Sequence, residues 1–288
     1  MPDNVAVVTE TMMPVNGIEL CTETFGESAD PALLLIAGGA SSMDWWDDEF
    51  CRRLAAGGRF VIRYDHRDTG RSTSFPAGAP PYSDVDLAHD ALGVLDAFGV
   101  HRAHLVGMSM GGVLAQRIAV ERPHRVLSLT LMSTSAGRSP GEQPGSALAT
   151  DAAGPDWAHR RSAVEYIVAE TREMGGPFTA GDPQLRRLAE RVYDRTHDMA
   201  ASQVNHANCA TGPCIRHRLG EITAPTLVLH GTQDRLFPAC HAHALAGEIP
   251  GARLVWMDGV GHEFPPTAVW SQVIEEILGE AGRRRQPA

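Results

Sequence analysis

His104-Leu105-Val106-Gly107-Met108-Ser109-Met110-Gly111-Gly112 reads as a short buried strand over 104–106 that turns sharply at a serine. A helix then opens, carries Val113, Leu114 and Ile118, and ends before Pro123. Gly107-Met108-Ser109-Met110-Gly111 is a Gly-x-Ser-x-Gly pattern in the strand–turn–helix context that gives it meaning. A serine on such a turn has strained backbone angles and close neighbours, so the flanking positions must be nearly free of side chain, and Gly111 and Gly112 suit that crowding. Taken alone, the pentapeptide also fits a glycine-rich turn with an incidental serine. The surrounding chain decides between the two.

Upstream of this turn, Asn16-Gly17 separates extended stretches at 12–15 and 18–24, which predicts a tight hairpin of antiparallel strands. Buried-strand runs follow at 32–36 and 60–64. Leu87, Ala91, Val94, Leu95 and Phe98 lie at helical spacing over 85–98, with Gly99 as a C-terminal cap. Downstream, 126–132 is a strand, after which the strand–helix alternation breaks. Over 137–218 no strand run is visible. Two amphipathic helices stand out there, one with Val164, Ile167 and Val168, the other with Leu185, Leu188 and Val192 and with Asp182-Pro183 as N-cap and first-turn proline. Strands at 226–230 and 253–257 then enclose a helix at 239–246, and a last helix covers 268–278. This rhythm predicts an α/β fold, a mostly parallel eight-stranded sheet with helices on both faces. Residues 1–136 and 219–288 form its core domain, and 137–218 form a helical cap.

A serine is a weak nucleophile at neutral pH and needs a histidine base that a carboxylate orients. Leu227-Val228-Leu229-His230-Gly231-Thr232-Gln233-Asp234 places a carboxylate in the loop leaving a strand, and Met257-Asp258-Gly259-Val260-Gly261-His262 places a histidine in a glycine-rich loop past the last strand. Ser109, Asp234 and His262 therefore form the expected triad, in the chain order serine, acid, histidine. Asp258 competes as the acid but lies too close to its strand end to be preferred. Acyl transfer also develops an oxyanion that needs two preorganised N–H donors. Met110 supplies one at the start of the helix, where the dipole favours negative charge. The second is expected from Ala37-Gly38-Gly39-Ala40-Ser41-Ser42. Gly39 is the choice there, because a glycine lets the backbone approach a substrate closely, and Gly38 is the alternative one residue off.

These motifs resemble the α/β-hydrolase superfamily, and the matching strand order covers nearly the whole chain outside the helical insertion. Tyr64-Asp65-His66-Arg67-Asp68-Thr69-Gly70-Arg71-Ser72 looks like the superfamily's turn after its fourth strand, where many members have glycine at the position of Asp68. With that departure, with Gly38-Gly39 in place of the common His-Gly pair, and with Gly-x-Ser-Met-Gly at the turn, the chain resembles the aclacinomycin methylesterase branch. The resemblance implies a serine esterase acting on a small or medium apolar ester, with the methyl ester of a polyketide-like compound as the narrower expectation. A C–C bond hydrolase, lactonase or thioesterase would use the same triad, and a non-enzymatic ligand receptor would reuse fold and cap alone.

Composition excludes other classes. Lys and Arg total 25 against 35 Asp and Glu, a formal net charge of −10, which repels nucleic-acid phosphates and anionic lipid. The basic run Arg283-Arg284-Arg285 is too short for a nucleic-acid patch. The N-terminus resembles no secretory signal, no apolar run is long enough for a membrane helix, and five scattered cysteines suit reduced thiols, so a cytoplasmic monomer or homodimer is expected. His206, Cys209, Cys214 and His217 loosely suggest zinc, but tight Cys-x-x-Cys pairing is lacking and packing within the cap is the preferred reading. No metal or cofactor is expected. Trp45, Trp46 and Met108 are candidates to line the substrate pocket, with packing against the cap as the alternative for the tryptophans.

Overall fold

A computed structural model describes residues 10–137 and 154–282. The N-terminal stretch, the arginine run at 283–285 and residues 138–153 of the expected cap lie outside the described residues.

Eight strands form one sheet: β1 (Thr11–Val15), β2 (Ile18–Phe25), β3 (Ala32–Ile36), β4 (Phe60–Tyr64), β5 (Ala103–Met108), β6 (Val126–Met132), β7 (Thr226–Gly231) and β8 (Arg253–Met257). Their spatial order is β1-β2-β4-β3-β5-β6-β7-β8. The β1–β2 and β2–β4 pairs are antiparallel and every later pair is parallel. Asn16 and Gly17 turn the hairpin with φ of 49° and 81°, the left-handed pair that an Asn-Gly turn supplies at low steric cost. Crossing the sheet from β4 to β3 and on to β5 reverses the strand order next to the serine turn, which is where open α/β sheets place their ligands.

All five residues of β3 are buried. Leu34 and Ile36 enter one apolar cluster, with helices α2 (Asp84–Ala97), α3 (Met110–Glu121) and α7 (Ala239–Glu248). Leu33 and Leu35 enter the other, with α1 (Asp48–Ala56) and α8 (Trp270–Gly282). The alternation follows from the two-residue period of a strand, and burial on both faces explains why these strands read as unbroken apolar runs. Helix α2 begins with a capping box between Ser83 and Asp86, which satisfies two otherwise orphaned amides.

Among the described residues between β6 and β7 lie α4 (Arg160–Met174), α5 (Asp182–Arg195) and α6 (Met199–Asn208), one helix more than the sequence pattern suggests. Val164, Ile167, Leu185, Ala189, Val192 and Met199 form a separate apolar cluster in this layer. The N-cap of α5 is Gly181, so Asp182 and Pro183 occupy its first turn, one position further in than expected. Among the described residues no helix is long and apolar enough to cross a membrane.

Candidate active site

Ser109 follows β5 directly and caps α3 with φ 51° and ψ −118°. Such a conformation costs a non-glycine residue about 1–3 kcal/mol and persists only where the surroundings impose it. Here the Ser109 amide donates to the Met132 carbonyl (3.0 Å) and the Thr134 hydroxyl donates to the Ser109 carbonyl (2.7 Å). The glycines are required by close approach. A β-carbon on Gly107 would lie 2.3 Å from the Gly111 carbonyl oxygen, and one on Gly111 would lie 2.2 Å from that of Ile36.

His262 stands in the loop after β8, its amide donating to the Met174 carbonyl at the end of α4 (2.7 Å). Its Nδ1 lies 2.9 Å from Asp234 Oδ2 and its Nε2 lies 3.1 Å from Ser109 Oγ. An ionised carboxylate only accepts, so Nδ1 carries the proton and Nε2 is free to accept the serine hydroxyl. Burial pushes the Asp234 carboxyl up, but the hydrogen bond and charge of His262 and the Phe237 amide together outweigh it and hold the group below its ordinary range. Its other oxygen accepts from the amides of Leu236 (3.0 Å) and Phe237 (2.8 Å), which fixes the carboxylate. Asp258 instead accepts from Thr232 on the exposed side of β8 (3.1 Å).

Gly39 and Met110 face each other across the mouth of this arrangement. A β-carbon on Gly39 would lie 3.8 Å from Met110 Sδ. Neither amide has a hydrogen-bond acceptor among the described residues. Gly38 is buried, and a β-carbon there would lie 3.4 Å from Ser109 Cβ, whereas Gly39 is exposed. Trp45 stacks on Phe264 (5.9 Å between centroids) and borders the apolar cluster formed by α4, α5 and Met199. Trp46 is 1% exposed and packs edge-on to the same ring, and Met108 is buried beneath the serine turn.

Glu263 carries no signature in the sequence, and His206 reads there only as cap packing, with zinc the lesser alternative. The Glu263 carboxylate accepts from the Gly176 amide (2.9 Å) and the Thr179 hydroxyl (2.9 Å), tying the segment after α4 to the histidine loop. His206 of α6 is buried, with both ring nitrogens engaged by backbone groups near the serine. Among the described residues no group of three or more His, Cys, Asp or Glu is arranged to hold a metal ion.

Eight strands in this order, a serine on a strained turn after β5, and a carboxylate and a histidine in the loops after β7 and β8 make a hydrolase architecture, and the family match agrees. Residues 31–268 match the alpha/beta hydrolase fold family, and the chain belongs to it. Two similar proteins are the rhodomycin D methylesterases DauP of Streptomyces sp. (strain C5) and DnrP of Streptomyces peucetius, 37% and 36% identical to this chain. Each comparison covers 88% of this chain and 92% of the relative. Among solved structures, a hydrolase from Pseudomonas aeruginosa PA01 is 26% identical with a TM-score of 0.72, covering 97% of this chain and 100% of that one. The esterase RhEst1 from Rhodococcus sp. ECU1013 shares the fold with a TM-score of 0.74 at 24% identity, over 94% of this chain and 98% of that one.

Proposed function

We propose that the protein is a serine-dependent carboxylic ester hydrolase whose substrate is the methyl ester of a polyketide-like compound. The observation that carries the reading is the continuous hydrogen-bonded line from Asp234 through His262 to Ser109, beside two unpaired amides. His262 Nε2 takes the hydroxyl proton as Ser109 Oγ attacks the ester carbonyl. The Gly39 and Met110 amides hold the oxyanion, and Asp234 stabilises the imidazolium that forms. Collapse of the tetrahedral intermediate breaks the bond to the alcohol oxygen, which leaves with the proton from His262. Water, deprotonated by the same imidazole, then attacks the acyl-serine and releases the acid. Residues 137–218 act as the cap over an apolar pocket bordered by Trp45. The methylesterase names of the two Streptomyces relatives support the substrate class. An odd number of cysteines supports a reducing, cytoplasmic setting.

A fluorophosphonate should label wild-type protein at Ser109 alone, as read by peptide mass. Ser109→Ala should abolish labelling and lower p-nitrophenyl acetate turnover by ~10⁴-fold or more. Full turnover by this variant would refute the assignment. A methyl ester on a fused aromatic polyketide should have a higher kcat/KM than methyl acetate.

A further inference from the structure

Two turns beside the serine hold non-glycine residues in the left-handed region. Ala40, in the loop after β3, has φ 57°, and Asp68, in the loop after β4, has φ 69°. One side chain bridges the two turns. The Ala40 amide donates to His206 Nδ1 (3.0 Å), and His206 Nε2 lies 3.0 Å from the Arg67 carbonyl, the residue before Asp68. A carbonyl only accepts, so Nε2 carries the proton and Nδ1 its lone pair, which fixes one neutral tautomer. Burial lowers the basicity of this ring and keeps it in that form. Left-handed alanine and aspartate are strained, and such strain is retained only where partners over-determine the backbone.

His206 is itself seated by its neighbour. Asn205 Nδ2 donates to Asp68 Oδ2 (3.0 Å), and Asn205 Oδ1 accepts from the Gly78 amide (2.7 Å). Asp68 also accepts from the Tyr82 hydroxyl and from the Phe75 amide (2.5 Å). An aspartate where the superfamily resemblance leads to an expectation of glycine thus acquires a purpose: its carboxylate receives α6 of the cap. From the other side, His66 Nε2 donates to the Ala37 carbonyl (3.1 Å), with its ring edge-on to His206 at 5.6 Å. The loop 37–40 is therefore gripped at both ends while Gly39, the residue before Ala40, keeps its amide free.

We propose that His206 is a positioning residue for ester hydrolysis: by accepting from the Ala40 amide it aims the Gly39 amide at the oxyanion. The inference rests on the serine-esterase reading above and extends it to the cap. It makes helix α6 part of the machinery that stabilises the transition state.

The test is a set of three variants assayed with p-nitrophenyl acetate and with an aryl trifluoromethyl ketone, whose serine adduct places an oxyanion in the same hole. His206→Asn keeps an acceptor near the Nδ1 position. His206→Gln keeps a donor near Nε2 alone, and His206→Leu keeps neither. The Leu and Gln variants should lose about 10- to 100-fold in kcat with KM within about threefold, because the lost interaction forms only in the transition state. Their Ki for the ketone should rise in the same proportion, and Asn should recover most of both. If Leu does not fold, the Asn–Gln contrast carries the result. Folded variants that shift Tm yet keep wild-type kcat and ketone Ki would overturn the inference and leave the esterase reading standing. Wild-type protein with no ester turnover and no fluorophosphonate label would overturn both.

Discussion

Lowering the pH from 7.5 to 5.0 should destabilise this protein through histidines that are buried neutral. Burial pushes His66 down to about 3 and His104 down to about 4, the latter reinforced by the charge of Arg59. Both start near 6.5 in the unfolded chain. A base whose folded pKa is depressed lets the unfolded state take up protons first. Stability is therefore fully present above pH 6.5 and is lost as pH falls toward 4 for His104 and 3 for His66. At pH 5 each has passed about 1.5 units below the unfolded value, worth about 2 kcal/mol apiece. Asp65 works against them. Burial raises its carboxyl to about 6, aided by Asp44 and opposed by Arg195, so the folded state gains a proton first and recovers about 1.4 kcal/mol at pH 5. Carboxylates held low, such as Glu10, Asp48 and Asp234, stay ionised in both states over this range and contribute little. The net loss is about 2.5 kcal/mol, large against a total stability of about 5–15 kcal/mol. His206 and His230, both also lowered by burial, add to it in the same direction.

The assay is urea unfolding at pH 7.5 and 5.0, comparing wild type with His104→Gln. His104 lies on β5 with Nδ1 2.9 Å from the Ser128 hydroxyl, so a glutamine amide retains a polar partner while removing the titration. Wild type should lose at least about 2.5 kcal/mol between the two conditions and the variant about 2 kcal/mol less than wild type. Equal losses in both proteins, or none in wild type, would refute the reasoning.

Gly111→Ala should damage stability and turnover together. Its methyl group would sit 2.2 Å and 2.5 Å from the carbonyl oxygens of Ile36 and Ala37, forcing the serine turn and the Gly39 loop apart. A stability loss of about 2 kcal/mol or more by urea unfolding and a fall in kcat of about 10²-fold are expected. A wild-type profile would mean that the crossing of β3 and α3 is looser than these distances. Asp234→Asn should leave the fold intact by circular dichroism but reverse the His262 tautomer, lowering kcat by about 10⁴-fold; a loss under tenfold would make another carboxylate the orienting group.

Legibility in the sequence followed the range of the interactions. The strands at Ala32–Ile36, Phe60–Tyr64, Val126–Met132 and Arg253–Met257 are legible to the residue, because strands packed against helices carry apolar runs, here interrupted only by residues such as Arg63, Ser128, Thr130 and Arg253. The serine, the carboxylate and the histidine were readable because each sits where a strand ends in a short loop of defined composition. The sequence reading assigns no helix to α1, although Asp47 caps it by accepting from Glu49 (2.8 Å) and Phe50 and Leu54 repeat at helical spacing. Helix α6 is different in kind. Its buried face includes Ser202, Asn205 and His206, and a pattern built on apolar residues assigns such positions to solvent or to metal. Their partners lie at Asp68 and Ala40, more than a hundred residues away in the chain, so nothing near them in sequence announces the contact. A helical layer that docks by hydrogen bonds onto strained turns is therefore least visible to sequence reading where it comes closest to the Gly39 loop. Asp68 is its local sign in the sequence, and the Asn205 amide that donates to its carboxylate supplies the reason.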